Sequence, residues 1–232
     1  MQGASGPAPG ERHIEPAPFR LLPAGDLPVI GITGGLATGK SLVTALLRTR
    51  GAVTFSADEA ARAVLIPGGA VLAEIARSFG TEMLLPDGRL DRARLGARVF
   101  QDRQARRRLE QITHPSILRL LRAQIESAAS DLSAGAVIGI EVPLLYETNL
   151  QGWFDRVVAV TASEATRIAR LGARNGLAEG EARQRLQTQW PLTAKIAHAD
   201  YVINNDGALS TLEAAVDDLW SRLRPSPGKE AA

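Results

Sequence analysis

The sequence predicts an α/β fold, an expectation carried by three observations. A short apolar run, Val29–Ile32, passes through a glycine-bearing turn into Leu42, Val43, Leu46 and Leu47, which recur at helical spacing. Further short apolar runs follow, most of them separated by helical patterns: Ala52–Phe55, Ala136–Val142, Arg156–Val160 and Tyr201–Ile203. Between the second and third of these runs, Ile66 to about Leu132 shows helical spacing broken only by turns. Five strands and a helical insertion are therefore expected.

Residues 1–26 hold Pro7, Pro9, Pro16, Pro18 and Pro23 among glycines and alanines, have little to bury, and read as a disordered extension. Phe19–Pro23 is too short and broken for the apolar region of a secretory signal. The first strand then opens onto Gly34-Gly35-Leu36-Ala37-Thr38-Gly39-Lys40-Ser41, which fits G-x-x-x-x-G-K-[ST] in strand–loop–helix context. Glycines let successive N–H groups approach phosphate oxygens, and a helix starting near Gly39 aims its positive end at the same anion. Lys40 supplies a mobile charge for the β- and γ-phosphates, and Ser41 a hydroxyl for Mg²⁺. The pattern reads as a nucleotide site comprising Gly35 to Leu42.

Gly51 stops the first helix, and the second strand runs into Ser56-Ala57-Asp58-Glu59. Ligands of open α/β sheets sit beyond the carboxyl ends of the strands, which makes Asp58 a candidate for meeting substrate. It reads equally as the N-cap of the following helix. In the insertion, Pro67-Gly68-Gly69 and Pro86-Asp87-Gly88 are turns, and His114-Pro115 is expected to end one helix and begin the next.

The third run is apolar except for Glu141, as for a strand buried on both faces. An acid at the end of a core strand beside such a loop suggests a Mg²⁺-holding carboxylate; the bland alternative is a strand-end charge reaching solvent. After the fourth strand, Ser163 caps a helix carrying Arg167, Arg170 and Arg174, which Asn175-Gly176 ends; a second helix is expected over Glu181–Gln189. An arginine-rich hairpin here resembles a lid over phosphates, although arginines at this spacing equally describe a solvated helix face. Asn204–Gly207 forms a tight loop after the fifth strand, and Thr211–Leu223 a closing amphipathic helix, before a frayed tail from Pro225.

Composition narrows the rest. The chain has 232 residues, 45% of them hydrophobic, enough to fill one core with appended subdomains. The absence of cysteine removes disulfide, thiolate-zinc and thiol chemistry, and agrees with a cytoplasmic location. No apolar run approaches the roughly 18 residues of a membrane span. The net charge of +2 argues against nucleic acid, and the Arg103, Arg106, Arg107, Arg108 cluster reads as a solvated helix face. His13 and His198 lack partners at metal-ligand spacing.

Several segments carry a family resemblance: Thr33–Ser41, Ala57-Asp58 with Ala61-Arg62, Ile112–Pro115, Val142-Pro143-Leu144-Leu145-Tyr146-Glu147, Arg170 with Arg174-Asn175-Gly176, Gln189-Trp190-Pro191 and Val202–Gly207. In this order they resemble dephospho-coenzyme A kinases over roughly residues 28 to 223. The resemblance implies a P-loop kinase core with a five-stranded parallel sheet (27–57, 134–162 and 199–224), a helical substrate-binding region (58–133) and a helical lid (163–198). It implies transfer of the γ-phosphoryl of ATP, with Mg²⁺, to the ribose 3′-hydroxyl of dephospho-CoA, by a monomer or weak homo-oligomer. Asp58 matches the carboxylate that orients and deprotonates that hydroxyl. Arg62, His114 and Pro143, Leu144 and Tyr146 match substrate-side positions. Arg170 and Arg174 match lid arginines, with Lys40 and Arg170 acting on the phosphates, and Asn204, Asn205 and Gly207 lie where the family holds adenine. Ser41 and Glu141 are the metal candidates.

Two positions depart from the family pattern. Ser56 replaces an acid, and Ala37 replaces a glycine, which is costly if φ there is positive. These departures suit a regulatory protein that kept the fold and lost phosphotransfer, whereas Asp58, Lys40, Arg170 and Glu147 suit an enzyme. Another P-loop small-molecule kinase is the remaining alternative, against which the substrate-side segments weigh.

Overall fold

The computed structural model describes Leu21 and residues 27–129 and 136–224. The expected disordered extension, apart from Leu21, and the tail from Pro225 thus lie outside the described residues. Leu21 itself is fully buried, and its N–H donates to the carbonyl of Trp153 at 3.1 Å. Among the described residues, 55–129 form one compact unit and Leu21, 27–54 and 136–224 a second.

The core unit is built on a five-stranded sheet of β1 (Val29–Gly34), β2 (Val53–Ser56), β3 (Ile138–Glu141), β4 (Arg156–Thr161) and β5 (Tyr201–Asn204), in the order β2-β3-β1-β4-β5. The β1–β3, β1–β4 and β4–β5 pairs are parallel, with Ile32 opposite Glu141 on one side and Val158 on the other. Parallel neighbours need crossovers, and for this reason helices separate the strands along the sequence, except between β3 and β4, which a 3₁₀ turn and loop connect. β1 is buried at every position, which explains its unbroken apolar run. The chain leaves β1 toward one sheet edge through α1 (Lys40–Thr49) and leaves β4 toward the other through α6 (Glu164–Asn175). The carboxyl ends of β1 and β4 are thus a topological switch point, where such folds bind ligands.

Ile30, Ile32, Val158, Val160 and Ile203 of the sheet pack with Val43 and Leu47 of α1 and with Leu212, Val216, Leu219 and Leu223 of α9 (Leu209–Leu223). The arginine hairpin is α6 and α7 (Glu179–Leu186); α7 starts earlier than expected, where Glu181 reaches back to accept from the Ala178 N–H at 3.1 Å, and it ends at Leu186 rather than Gln189. A further short helix, α8 (Leu192–Ala197), packs on β1 and β4 and was not anticipated.

The helical unit comprises α2 (Ala57–Ala63), α3 (Ala70–Phe79), α4 (Arg92–Gln101) and α5 (Arg103–Ala129), and α5 packs on the other three. Its core joins Ile75, Met83 and Leu95 to Val71, Phe79, Leu109 and Ile112. The expected break at His114-Pro115 does not occur: Pro115 lies inside α5. Pro115 removes one helical hydrogen bond and crowds the preceding turn, at a cost of about 3 kcal/mol. The apolar stripe nevertheless continues through it, from Leu109 and Ile112 to the buried Leu118, Leu121 and Ile125. Burying those side chains, at roughly 1.5–3 kcal/mol each, outweighs the proline.

Candidate functional site

The site grows from the loop between β1 and α1. Five consecutive carbonyls of that loop accept hydrogen bonds from side chains. Lys40 Nζ donates to Gly34 at 3.4 Å and Gly35 at 2.9 Å. Arg167 Nε donates to Leu36 at 2.9 Å. Arg170 Nη1 donates to Ala37 at 3.3 Å and to Thr38 at 3.2 Å, and Asn205 Nδ2 donates to Thr38 at 2.9 Å. In a trans peptide the C=O and the following N–H point opposite ways, so turning the carbonyls toward these donors turns the amides away from them. Among the described residues, the N–H groups of Leu36, Ala37 and Gly39 donate to no other residue. They form a nest at a helix N-terminus, the arrangement that binds phosphate.

The geometry of the loop has a cost. Gly39 caps α1 with φ 89°, and a Cβ there would collide with the Asn205 amide, so glycine is required. Ala37 also sits at positive φ, 60°, where a side chain is disfavoured by about 1–2 kcal/mol. Thr38, fully buried, ties the turn by donating its hydroxyl to Gly35 O at 3.0 Å.

Around the nest the core brings together most of the predicted nucleotide residues. Ser41 Oγ lies 3.4 Å from Glu141 Oε1, joining the helix start to the end of β3. A hydroxyl and a carboxylate converging beside a phosphate nest fit Mg²⁺, which takes oxygen ligands and leaves most positions to phosphate and water. Among the described residues no group of three or more His, Cys, Asp or Glu is placed to hold a metal ion. Arg170 also donates through Nη2 to Asn205 O at 2.8 Å, so it bridges the P-loop and the loop after β5 rather than facing solvent. Asn205 is buried with its amide committed to Thr38, while Asn204 and Gly207 are exposed on the same loop. Arg174, one turn beyond Arg170, is exposed and bonds Asn175 at 3.1 Å. Leu42, in the first turn of α1, is 42% exposed.

The segment after β3 is held from below. Lys195 of α8 is fully buried; its ammonium donates to Pro143 O at 2.9 Å and pairs with Glu147 Oε1 at 2.8 Å. Burial lowers the Lys195 pKa, and Glu147 opposes that shift. Glu147 Oε1 also accepts from the Trp190 N–H at 3.0 Å. Leu144 stays exposed at 42%, whereas Tyr146 is buried and stacks on Trp190 at 6.3 Å. Among the described residues the Tyr146 hydroxyl has no hydrogen-bond partner, and burial raises its pKa.

The other predicted residues belong to the helical unit. Ser56, where the resembled family carries an acid, is the N-cap of α2, its Oγ accepting from the Glu59 N–H at 3.2 Å. The cap reading of Asp58 is thereby removed. Asp58 is an exposed acid in the first turn, and Arg62 is exposed one turn later. Arg62, Arg89 and Arg92 line a cleft of about 430 Å³ walled by Leu65, Ile66, Pro67, Leu85 and Leu90. His114 is half-buried on α5, and burial lowers its pKa to about 4.

Arg167, Lys195, Arg89 and Arg92 were not anticipated as site residues. Arg167 shares a helix stripe with Arg170, and Lys195 is one of only three lysines, so both carried a faint signal.

A family model for dephospho-CoA kinase matches residues 28–211. The chain is 48% identical to a dephospho-CoA kinase of Anaeromyxobacter dehalogenans, over 87% of this chain and 94% of that one. It is 43% identical to a dephospho-CoA kinase of Syntrophotalea carbinolica, over 85% and 92% respectively. A crystal structure of a Thermus thermophilus protein superimposes with a TM-score of 0.71 at 33% identity, covering 87% of this chain and all (100%) of the other.

Proposed function

The chain belongs to the dephospho-CoA kinase family, and we propose how its residues divide the family's reaction. The γ-phosphoryl of ATP passes to the ribose 3′-hydroxyl of dephospho-CoA, giving coenzyme A and ADP. The 3′-oxygen forms a bond to the γ-phosphorus, the bond from that phosphorus to the β–γ bridging oxygen breaks, and the hydroxyl proton must go to a base. Protein catalysis here is positioning plus electrostatic stabilisation.

The observation that carries the reading is the P-loop nest: carbonyls of Gly34 to Thr38 satisfied by side chains, and amides of Leu36, Ala37 and Gly39 left for an anion. The amides of Leu36, Ala37 and Gly39 and the Lys40 ammonium hold the β- and γ-phosphates, with Gly35, Thr38, Ser41 and Leu42 completing the nucleotide site and Lys40 exchanging its loop carbonyls for phosphate oxygens. Asn204, Gly207 and the backbone of Asn205 hold the adenine, and Arg174 joins the nucleotide from the lid. Ser41 and Glu141 would hold Mg²⁺, which supplies positive charge to the β- and γ-oxygens. Arg170 meets the charge that develops on the transferring group.

Asp58 orients the 3′-hydroxyl and takes its proton. Arg62 and His114 are assigned to dephospho-CoA, as are Pro143, Leu144 and Tyr146. The cleft bearing Arg62, Arg89 and Arg92 offers guanidinium groups for a diphosphate and an apolar wall for the arm beyond it. No described helix is long and apolar enough to cross a membrane, and we place the reaction in the cytoplasm, in a monomer or weak homo-oligomer.

Asp58→Asn tests the assignment. With Ser56 as the cap, the substitution leaves α2 folded. Removing a general base typically lowers the rate by about 10²–10⁴-fold. The expected variant binds both substrates normally and turns over at least ~100-fold more slowly. A variant keeping most of its rate would mean that the proton acceptor is another group.

A further inference from the structure

Arg167 reaches the P-loop from α6 and is 9% exposed, buried for an arginine. Its Nε donates to Leu36 O at 2.9 Å, the carbonyl immediately before Ala37 with its φ of 60°. The guanidinium also lies against Gly35, where an added Cβ would be 2.9 Å from Nη2 and 3.1 Å from Cζ. Gly35 is not among the positive-φ residues, so a Cβ there would be opposed by the neighbouring guanidinium, which would have to shift, and not by the backbone φ. Arg170 holds the next two carbonyls, of Ala37 and Thr38. Two arginines, at i and i+3 on one helix, thus grip three successive peptide units of the nest.

We propose that Arg167 is a positioning residue for nucleotide binding: it fixes the Leu36–Ala37 peptide so that the Ala37 amide faces the phosphates, and Gly35 is glycine to admit it. The inference rests on the reading of Gly34–Ser41 as the phosphate site. Because Arg167 acts through the loop, it serves bound ATP, ADP and the transition state alike. Uniform binding of this kind appears in affinity and leaves the chemical step untouched. Arg170, assigned to the transferring group, differs in this respect.

The test measures ATP and ADP affinity by calorimetry, and kcat at saturating ATP, for the wild type, Arg167→Gln, Gly35→Ala and the double variant. A hydrogen bond to a charged group corresponds to about a tenfold effect or more. Arg167→Gln is expected to weaken ATP and ADP about tenfold together, with kcat within about threefold. Gly35→Ala is expected to weaken both about tenfold in the wild type and less than about threefold in the Arg167→Gln background, because its methyl group then has room. Unchanged ATP affinity in Arg167→Gln, a fall in kcat without a fall in affinity, or equal Gly35→Ala costs in both backgrounds would overturn the proposal. Failure of the underlying reading has a separate signature: Lys40→Ala would bind ATP as the wild type does.

Discussion

Lys195 lies fully buried with its ammonium 2.8 Å from Glu147 Oε1, fastening α8 to the segment that follows β3. The same carboxylate oxygen takes the Trp190 N–H and the same ammonium holds Pro143 O, so one ion pair organises two loops beside the site. Breaking a buried pair by removing one partner costs about 3–5 kcal/mol, mostly from stranding the other charge. Lys195→Met should therefore lower the melting temperature of the core unit by roughly 6–20 °C, at about 2–4 °C per kcal/mol for a domain of this size. Lys195→Met with Glu147→Gln should recover much of that loss. Tryptophan fluorescence reads it directly, because Trp153, Trp190 and Trp220 all belong to the core unit. A single variant as stable as the wild type would show that the pair is not holding these loops.

Ala37 pays for its left-handed backbone in the native state. Ala37→Gly relieves about 1–2 kcal/mol of native strain, offset by roughly 0.4–1 kcal/mol of added unfolded-chain entropy. The expected result is a core unit between about 0 and 1.6 kcal/mol more stable, with unchanged or tighter ATP binding, measured by denaturant unfolding and calorimetry. A clearly destabilised variant would mean that the loop does not hold Ala37 at φ 60° in solution.

His114 sets a pH dependence in the helical unit. Its folded pKa, lowered to about 4 by burial, lies below the ordinary value of 6.5. Between these values the unfolded chain binds the proton and the folded one does not. Stability from this group is therefore full above about pH 6.5 and falls as the pH drops toward 4. Thermal melts of the helical unit, followed by far-ultraviolet circular dichroism from pH 7 to 5, should shift downward, and His114→Gln should flatten the slope. Equal slopes in both proteins would mean that His114 is solvated.

Much of the site was legible because phosphate chemistry leaves a local signature. Gly34 to Ser41 must be contiguous for their amides to converge, and Glu141 ends, and Asp58 follows, strands whose apolar runs are plain in the sequence. What was missed depends on packing. Lys195 sits in a helix of six residues after Pro191, too short for a periodic signal, and nothing local marks its side chain as buried. Arg167, Arg170 and Arg174 at helical spacing read equally as a wet face; only the fold shows the first two turned onto the P-loop and the third toward solvent. Pro115 misled for the same reason: a local rule predicted a break that an apolar stripe on both sides overrode. The sequence offered Asp58 as the cap of the second helix; the hydrogen bond from Glu59 N–H to Ser56 Oγ gives that role to Ser56 instead.

The most direct test of phosphoryl transfer at this site is an acceptor comparison. ATP is supplied to the wild type and to Lys40→Ala with dephospho-CoA, and separately with nucleosides and nucleoside monophosphates, following ADP release and locating the new phosphate by phosphorus NMR. The expected result is one ADP per dephospho-CoA consumed, a monoester on the ribose 3′-oxygen, and no turnover by Lys40→Ala. Comparable kcat/KM for a nucleoside or nucleoside monophosphate, or no transfer to dephospho-CoA, would contradict it.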